Sequence, residues 1–181
     1  MAHAWLRVEQ RAAVGEEERA LSRFVQKLAR LRRRHPVFRR GRFFRGKRTS
    51  DTEIKDITWL RPDGREKEQE DWDRALHCLG FVVSGEAGHY HLTAEGVAEA
   101  DHSFLVLMNA GAEPVDYCLP RFGSAAAWEL VLDTGDPEAD GEAPRRAPGE
   151  RFPLGPRRLL LFVMHEHHPA GEEGDGMGEG P

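Results

Sequence analysis

SFLVLMNAGAEPVDYCLP, from Ser103 to Pro120, decides the fold. Its first seven residues, Ser103 to Asn109, form an apolar run of strand length. A break containing Gly111 and Pro114 follows. Beyond it the pattern alternates, with Val115, Tyr117 and Leu119 inward and Asp116 outward. A period of two sends successive side chains to opposite faces of an extended chain, so this second run is a strand with one buried face.

The same pattern extends in both directions. Downstream, WELVLD alternates through Trp128, Leu130 and Leu132, and RLLLFVM (Arg158 to Met164) is apolar enough for a strand covered on both faces. Upstream, LHCLGFVV (Leu76 to Val83) is another run of strand length. KDITWLR (Lys55 to Arg61) places Ile57 and Trp59 on one face, with Thr58 and Leu60 on the other. It stops at Pro62-Asp63-Gly64, where the fixed φ of proline and the free φ of glycine make a turn. Short strands separated by Gly, Pro and Asp, with no helices between them, predict a mainly β protein. The expected architecture is an antiparallel sandwich of about six to eight strands.

One helix precedes it. Leu21, Phe24, Val25, Leu28 and Leu31 recur at helical spacing between Glu16 and Arg34. Glutamates 16 to 18 suit the positive end of its dipole, and Arg30 with Arg32 to Arg34 the negative end. Pro36 restricts His35 and ends the helix. Asp136 to Glu150 reads as a loose polar loop, and the tail from Pro169 has almost nothing to bury. The resulting division is an N-terminal segment 1–15, a helix 16–35, a β-sandwich 36–168 and a disordered tail 169–181.

Composition narrows the function. The formal net charge of −5 disfavours a nucleic-acid partner, and no apolar run is long enough to span a membrane. The first residues carry Arg and Glu where a signal peptide needs its apolar centre, and Cys78 and Cys118 make no disulfide framework. A cytoplasmic address is expected. At 181 residues the chain is too short for a (β/α)₈ barrel, which needs about 250.

Three stretches taken together resemble the C-terminal region of bacterial glycogen debranching enzymes of the isoamylase type, in the α-amylase superfamily. LARLRRRHPVFRRGRFFRG (Leu28 to Gly46) is similar to the family's last barrel helix and its exit. KDITWLRPDGREKEQEDW (Lys55 to Trp72) and DHSFLVLMNAGAEPVDYCLP (Asp101 to Pro120) match two later family motifs in order and spacing. Lys67 stands where the family usually has Met, and Arg158 where a small Ser commonly precedes the last strand. Near the start, Trp5 and Leu6 keep part of a family-like stretch that lacks its second Trp.

The resemblance implies a role in hydrolysis of α-1,6 branch linkages in glycogen. A retaining mechanism of that kind needs two carboxyl groups about 5–5.5 Å apart. In the family these project from barrel strands upstream of the region matched here, so no catalytic residue is carried over. The chain alone is expected to be inactive. Its expected partner is a catalytic barrel, with the Leu21/Phe24/Val25/Leu28/Leu31 stripe facing it. A second reading is a stand-alone α-glucan-binding module without catalysis, for which Trp59 and Trp72 offer flat faces for sugar rings. The favoured reading of this pair instead puts Trp59 in the core and Trp72 between its loop and the barrel.

Glu66, Glu68, Glu70, Asp71 and Asp73 look like a solvated loop with no apolar pocket to keep one acid protonated. The basic run from Arg30 to Arg48, interleaved with Phe38, Phe43 and Phe44, is read as a connection whose aromatics seal a junction, not as a nucleic-acid surface. His165, His167 and His168 sit where order fades and lack an evident supporting shell, so no metal site is expected. Cys78 and Cys118 are expected as buried thiols, and no cofactor is implied.

Overall fold

The computed structural model describes residues 15–41, 43–49, 52–72, 77–85, 101–139 and 143–166. The segment before residue 15 and the tail from 169 lie outside them. Helix α1 spans Glu16–Arg34. At its start the Glu18 carboxylate accepts the Gly15 N–H at 2.7 Å, satisfying a donor that the helix itself cannot. At its end His35 turns extended (φ −110, ψ 105) ahead of Pro36, and a single 3-10 turn, Pro36–Arg39, follows. The sequence placed both ends within a residue because proline and terminal charge act locally.

Nine strands follow among the described residues: β1 (Arg48–Thr49), β2 (Thr52–Lys55), β3 (Ile57–Leu60), β4 (Cys78–Val83), β5 (Phe104–Asn109), β6 (Val115–Cys118), β7 (Ala125–Asp133), β8 (Arg151–Leu154) and β9 (Arg158–Glu166). Five of them form one sheet in the order β3-β4-β5-β9-β7, and every pairing is antiparallel. Strands β6 and β8 pair antiparallel as a second sheet, and β1 with β2 makes a short ribbon. The mainly β, antiparallel reading is therefore correct. The ribbon and β8 are not legible in the sequence, because strands of two to four residues are too short to carry a periodic signal.

Two apolar layers hold these elements. Between the sheets lie Leu60, Val82, Leu105, Leu107, Tyr117, Leu119, Trp128, Leu154, Leu160, Phe162 and Met164, all buried. On the other face of the five-stranded sheet lie Ile57, Val83, Phe104, Val106, Leu132, Leu161 and Val163, with Val37 from the 3-10 turn. Strand β9 supplies both layers, Leu160, Phe162 and Met164 to one and Leu161 and Val163 to the other. This is the doubly covered strand its sequence predicts.

Leu132 corrects one expectation. Alternation puts it on the same face as Trp128 and Leu130, yet it joins the outer layer while those two face the inter-sheet core. The register of β7 against β9 shifts between Leu130 and Leu132. A β-bulge inserts one residue into the alternation and so reverses the faces beyond it. Within the 136–150 loop, the described stretch 143–150 is less loose than its composition suggests. Arg146 exchanges two backbone hydrogen bonds of 2.8 Å with Trp128, and Gly149 donates to the Leu119 carbonyl at 2.7 Å.

Helix α1 lies on the outer layer along a narrow line. Phe24 and Leu31 pack there partly buried, while Leu21, Val25 and Leu28 remain 63%, 54% and 40% exposed. Polar ties complete the docking: Lys27 donates to the Ala139 carbonyl at 2.7 Å, and Arg23 pairs with Glu138. The helix exit is clamped by Asp101. Its carboxylate bonds the His35 Nδ1 at 2.8 Å and accepts the N–H groups of Val37 (3.0 Å) and His102 (2.7 Å). The His35 ring also meets Phe104 edge-on at 4.7 Å.

Arg158, unusual against the resemblance, has a local explanation. Its guanidinium binds both oxygens of Asp133, at 2.5 and 2.6 Å, across the β7–β9 pair. Such fork-to-fork pairing is the geometry for which arginine is built.

Candidate functional site

Two features stand out, an aromatic cluster at the edge of the large sheet and a groove beside it. In the cluster, Trp59 on β3 packs at a tilt against its cross-strand partner Phe81, with centroids 5.1 Å apart. Trp72 meets Trp59 edge-on at 5.6 Å and is 46% exposed. Trp59 is partly buried against the outer layer, so its ring serves the core. The Lys67 ammonium sits 4.2 Å from the Trp72 ring centroid, a cation–π contact that covers one indole face. Lys67 thus occupies the place where a sugar would stack on that face.

The groove has a volume of about 690 Å³. It runs between the Pro62-Asp63-Gly64 turn, the β1–β2 ribbon and the chain that leaves β6. Backbone pairing builds its walls: Cys118 donates to the Pro62 carbonyl at 2.8 Å, which ties the turn after β3 to the second sheet. Gly64 sits at φ +81, and a Cβ there would come within 2.7 Å of the Cys118 carbonyl oxygen. Both the angle and the contact require glycine. The lining carries Arg48, Lys55, Arg65 and Arg121 against Asp63 and Glu66, with Leu60, Pro120 and Phe122 between them.

The two carboxylates are already matched. Asp63 accepts from Arg61 at 3.2 and 2.8 Å and from the Arg65 N–H at 3.1 Å. Partial burial pushes its pKa up, but the Arg65 N–H and the Arg61 guanidinium outweigh this and leave it below the usual carboxylate range. Glu66 takes Lys55 at 2.6 Å. The sequence did not single out this groove, because its arginines come from three separate elements and no local spacing joins them.

The remaining candidates disperse. Asp71 is buried and accepts the Glu68 N–H at 2.9 Å, Glu66 is paired, and Glu68 and Glu70 are exposed. Asp73 lies outside the described residues. From the basic run, Arg40 lies over the Phe44 ring at 4.1 Å and reaches Asp56, while Phe38 packs on Phe104 at 4.7 Å. Phe43 is 96% exposed. His165 bonds Glu129 at 2.6 Å, and His167 and His168 lie outside the described residues. No group of three metal-ligating side chains occurs among the described residues, and no helix there is long and apolar enough to cross a membrane.

Cys78 is buried on β4, and burial pushes its thiol up to about 11, whereas Cys118 is only partly buried. The folded state therefore holds the Cys78 proton more tightly than the unfolded chain does. Its contribution to stability is full below about pH 9, the unfolded value, and fades as pH rises toward the folded one. Titration with a disulfide reagent at pH 8 is expected to label Cys118 about tenfold or more faster than Cys78. Equal rates would show that β4 opens readily.

Comparison with known proteins places this architecture. Residues 56–164 match the family described as "Isoamylase, C-terminal". A "Glycogen operon protein GlgX homolog" from Mycobacterium bovis (strain ATCC BAA-935 / AF2122/97) is 42% identical over 145 residues. A protein of the same name from Mycobacterium tuberculosis (strain ATCC 25618 / H37Rv) matches equally. The aligned stretch is 77% of this chain and 19% of each relative, so the chain spans about a fifth of the length of the curated relatives it matches. With the sandwich and the family match in agreement, the chain belongs to the isoamylase C-terminal family.

Proposed function

We propose that the chain acts as the C-terminal accessory domain of a glycogen-debranching glycoside hydrolase, bracing a catalytic (β/α)₈ barrel and performing no hydrolysis alone. The family match carries this reading, and the open side of α1 supports it. Leu21, Val25 and Leu28 form a line at i, i+4 and i+7 that the sheet leaves exposed. A barrel surface is the partner that would cover it, and residues 16–35 would then belong with the barrel while 36–168 form the sandwich. A cytoplasmic address belongs to the same proposal. The stand-alone glucan-binding module is not favoured, since Trp59 is part of the core and Lys67 covers a face of Trp72.

The test is debranching of glycogen by the chain alone and mixed with a separately produced barrel of the family. The chain alone is expected to release no linear glucan, and its addition to raise the barrel's activity and melting temperature. Replacing Leu21 and Val25 by Glu should abolish the rescue while leaving the sandwich folded. Release of linear glucan by the chain alone would contradict the reading, as would undiminished rescue by the double variant.

A further inference from the structure

The groove beside the Pro62-Asp63-Gly64 turn has more positive charge than its own acids can use. Arg61 answers Asp63 and Lys55 answers Glu66, which leaves Arg48, Arg65 and Arg121 around the same groove. None of these three guanidiniums forms an ion pair or a hydrogen bond among the described residues, although Arg65 acts on Asp63 at longer range. Exposed arginines without partners are ordinary when scattered. Three lining one concave site make a field that attracts an anion.

The backbone of the groove fits a ligand that approaches closely. Gly64, Gly123 and Gly149 all line it, and all have left-handed φ of 81°, 49° and 90°. At Gly149 a Cβ would lie 2.6 Å from the Arg121 Nη2, so the missing side chain is what lets that guanidinium lie across the wall. The volume of about 690 Å³ falls within the roughly 300–1,000 Å³ usual for small-molecule sites and exceeds what a bare phosphate needs. The half-buried Phe122 adds an apolar contact beside the charges, while Leu60 and Pro120 lie buried behind it. The ligand indicated therefore carries an anionic group for the arginine forks, with room for a ring beside Phe122.

We propose that this groove binds a phosphate ester carried on an α-glucan, with Arg48, Arg65 and Arg121 on the phosphate and Phe122 beside a sugar ring. The glucan part rests on the function proposed above; the anion part rests on the groove alone. The site lets the domain hold phosphate-bearing chains of a branched glucan without contributing to bond cleavage.

Calorimetric titration of the full chain with maltoheptaose bearing a 6-phosphate ester tests this, against unmodified maltoheptaose and inorganic phosphate. The phosphorylated oligosaccharide should bind at least about tenfold more tightly than either control, with affinity falling as salt rises. Arg121→Ala and Arg65→Ala should each weaken it about tenfold without shifting the melting temperature, because neither side chain holds the fold together. Equal binding of the two oligosaccharides, or unchanged affinity in Arg121→Ala, would overturn the proposal. Inorganic phosphate binding as tightly as the ester would remove the glucan from it. Loss of ester binding once the barrel is bound would make the groove a seat for an acidic protein segment instead. Both arginine variants should still rescue the barrel, so a failed titration leaves the accessory role standing, and a failed rescue with intact ester binding does the reverse.

Discussion

Trp128→Ala is expected to lower the stability of the sandwich by about 3–5 kcal/mol, the range for deleting a buried large aromatic. Trp128 is fully buried between the two sheets, and its indole N–H donates to the Pro120 carbonyl at 2.9 Å. Alanine would open a cavity in the inter-sheet core and leave the Pro120 carbonyl without its donor. The residue also anchors the 143–150 segment through its backbone exchange with Arg146, which ties the loop to the sheet. Domains of this size are stable by only about 5–15 kcal/mol, so the variant should sit near its unfolding threshold at 37 °C. Urea denaturation measures the loss, with Trp128→Phe as the volume control. A deficit under about 1 kcal/mol for the alanine variant would mean that the core repacks far more freely than close packing allows.

Asp101→Ala should be the next most costly change and should act on one element more than the rest. The carboxylate serves two backbone N–H groups and the His35 ring at once, with its side chain only 9% exposed. Removing it strands these groups in a partly buried place, which costs about 2–4 kcal/mol. The penalty falls on the exit of α1; beyond it the helix body is held by only Phe24, Leu31 and a few surface polar ties, while His35, Val37 and Phe38 pack at the exit itself. Hydrogen exchange should therefore show the amides of α1 losing protection well before those of β5 and β9. Uniform loss across helix and sheet would show that the clamp is not local. Because α1 carries the exposed Leu21/Val25/Leu28 line, the same variant should also weaken rescue of the barrel.

The sequence was read correctly where the deciding physics is short-range. The alternation of Val115, Tyr117 and Leu119, the two-sided apolarity of Leu159 to Val163 and the stop at Pro36 all depend on neighbours within a few residues. Each survived into the structure as β6, β9 and the end of α1. Leu132 was misplaced because a bulge is fixed by pairing with β9, which lies almost thirty positions further along. Strand β8 escaped notice because a four-residue run containing Pro153 shows no period of its own; its pairing with β6 makes it a strand.

The candidate sites divide in the same way. Trp59 and Trp72 were visible as aromatics flanking a turn, but only folding brought Lys67 over one and Phe81 against the other. The helical stripe was legible as five residues. The narrowness of its contact with the sheet separates Phe24 and Leu31 from the exposed Leu21, Val25 and Leu28. Arg48, Arg65 and Arg121 shared no motif at all. By itself, then, the sequence determined the β class, the helix and its ends, and the family resemblance, because periodicity, capping charge and turn chemistry are written along the chain. The tertiary structure alone decided which side chains meet across the sheets, which half of the stripe stays open and where unmatched charge collects, because those contacts join residues with no local relation to one another.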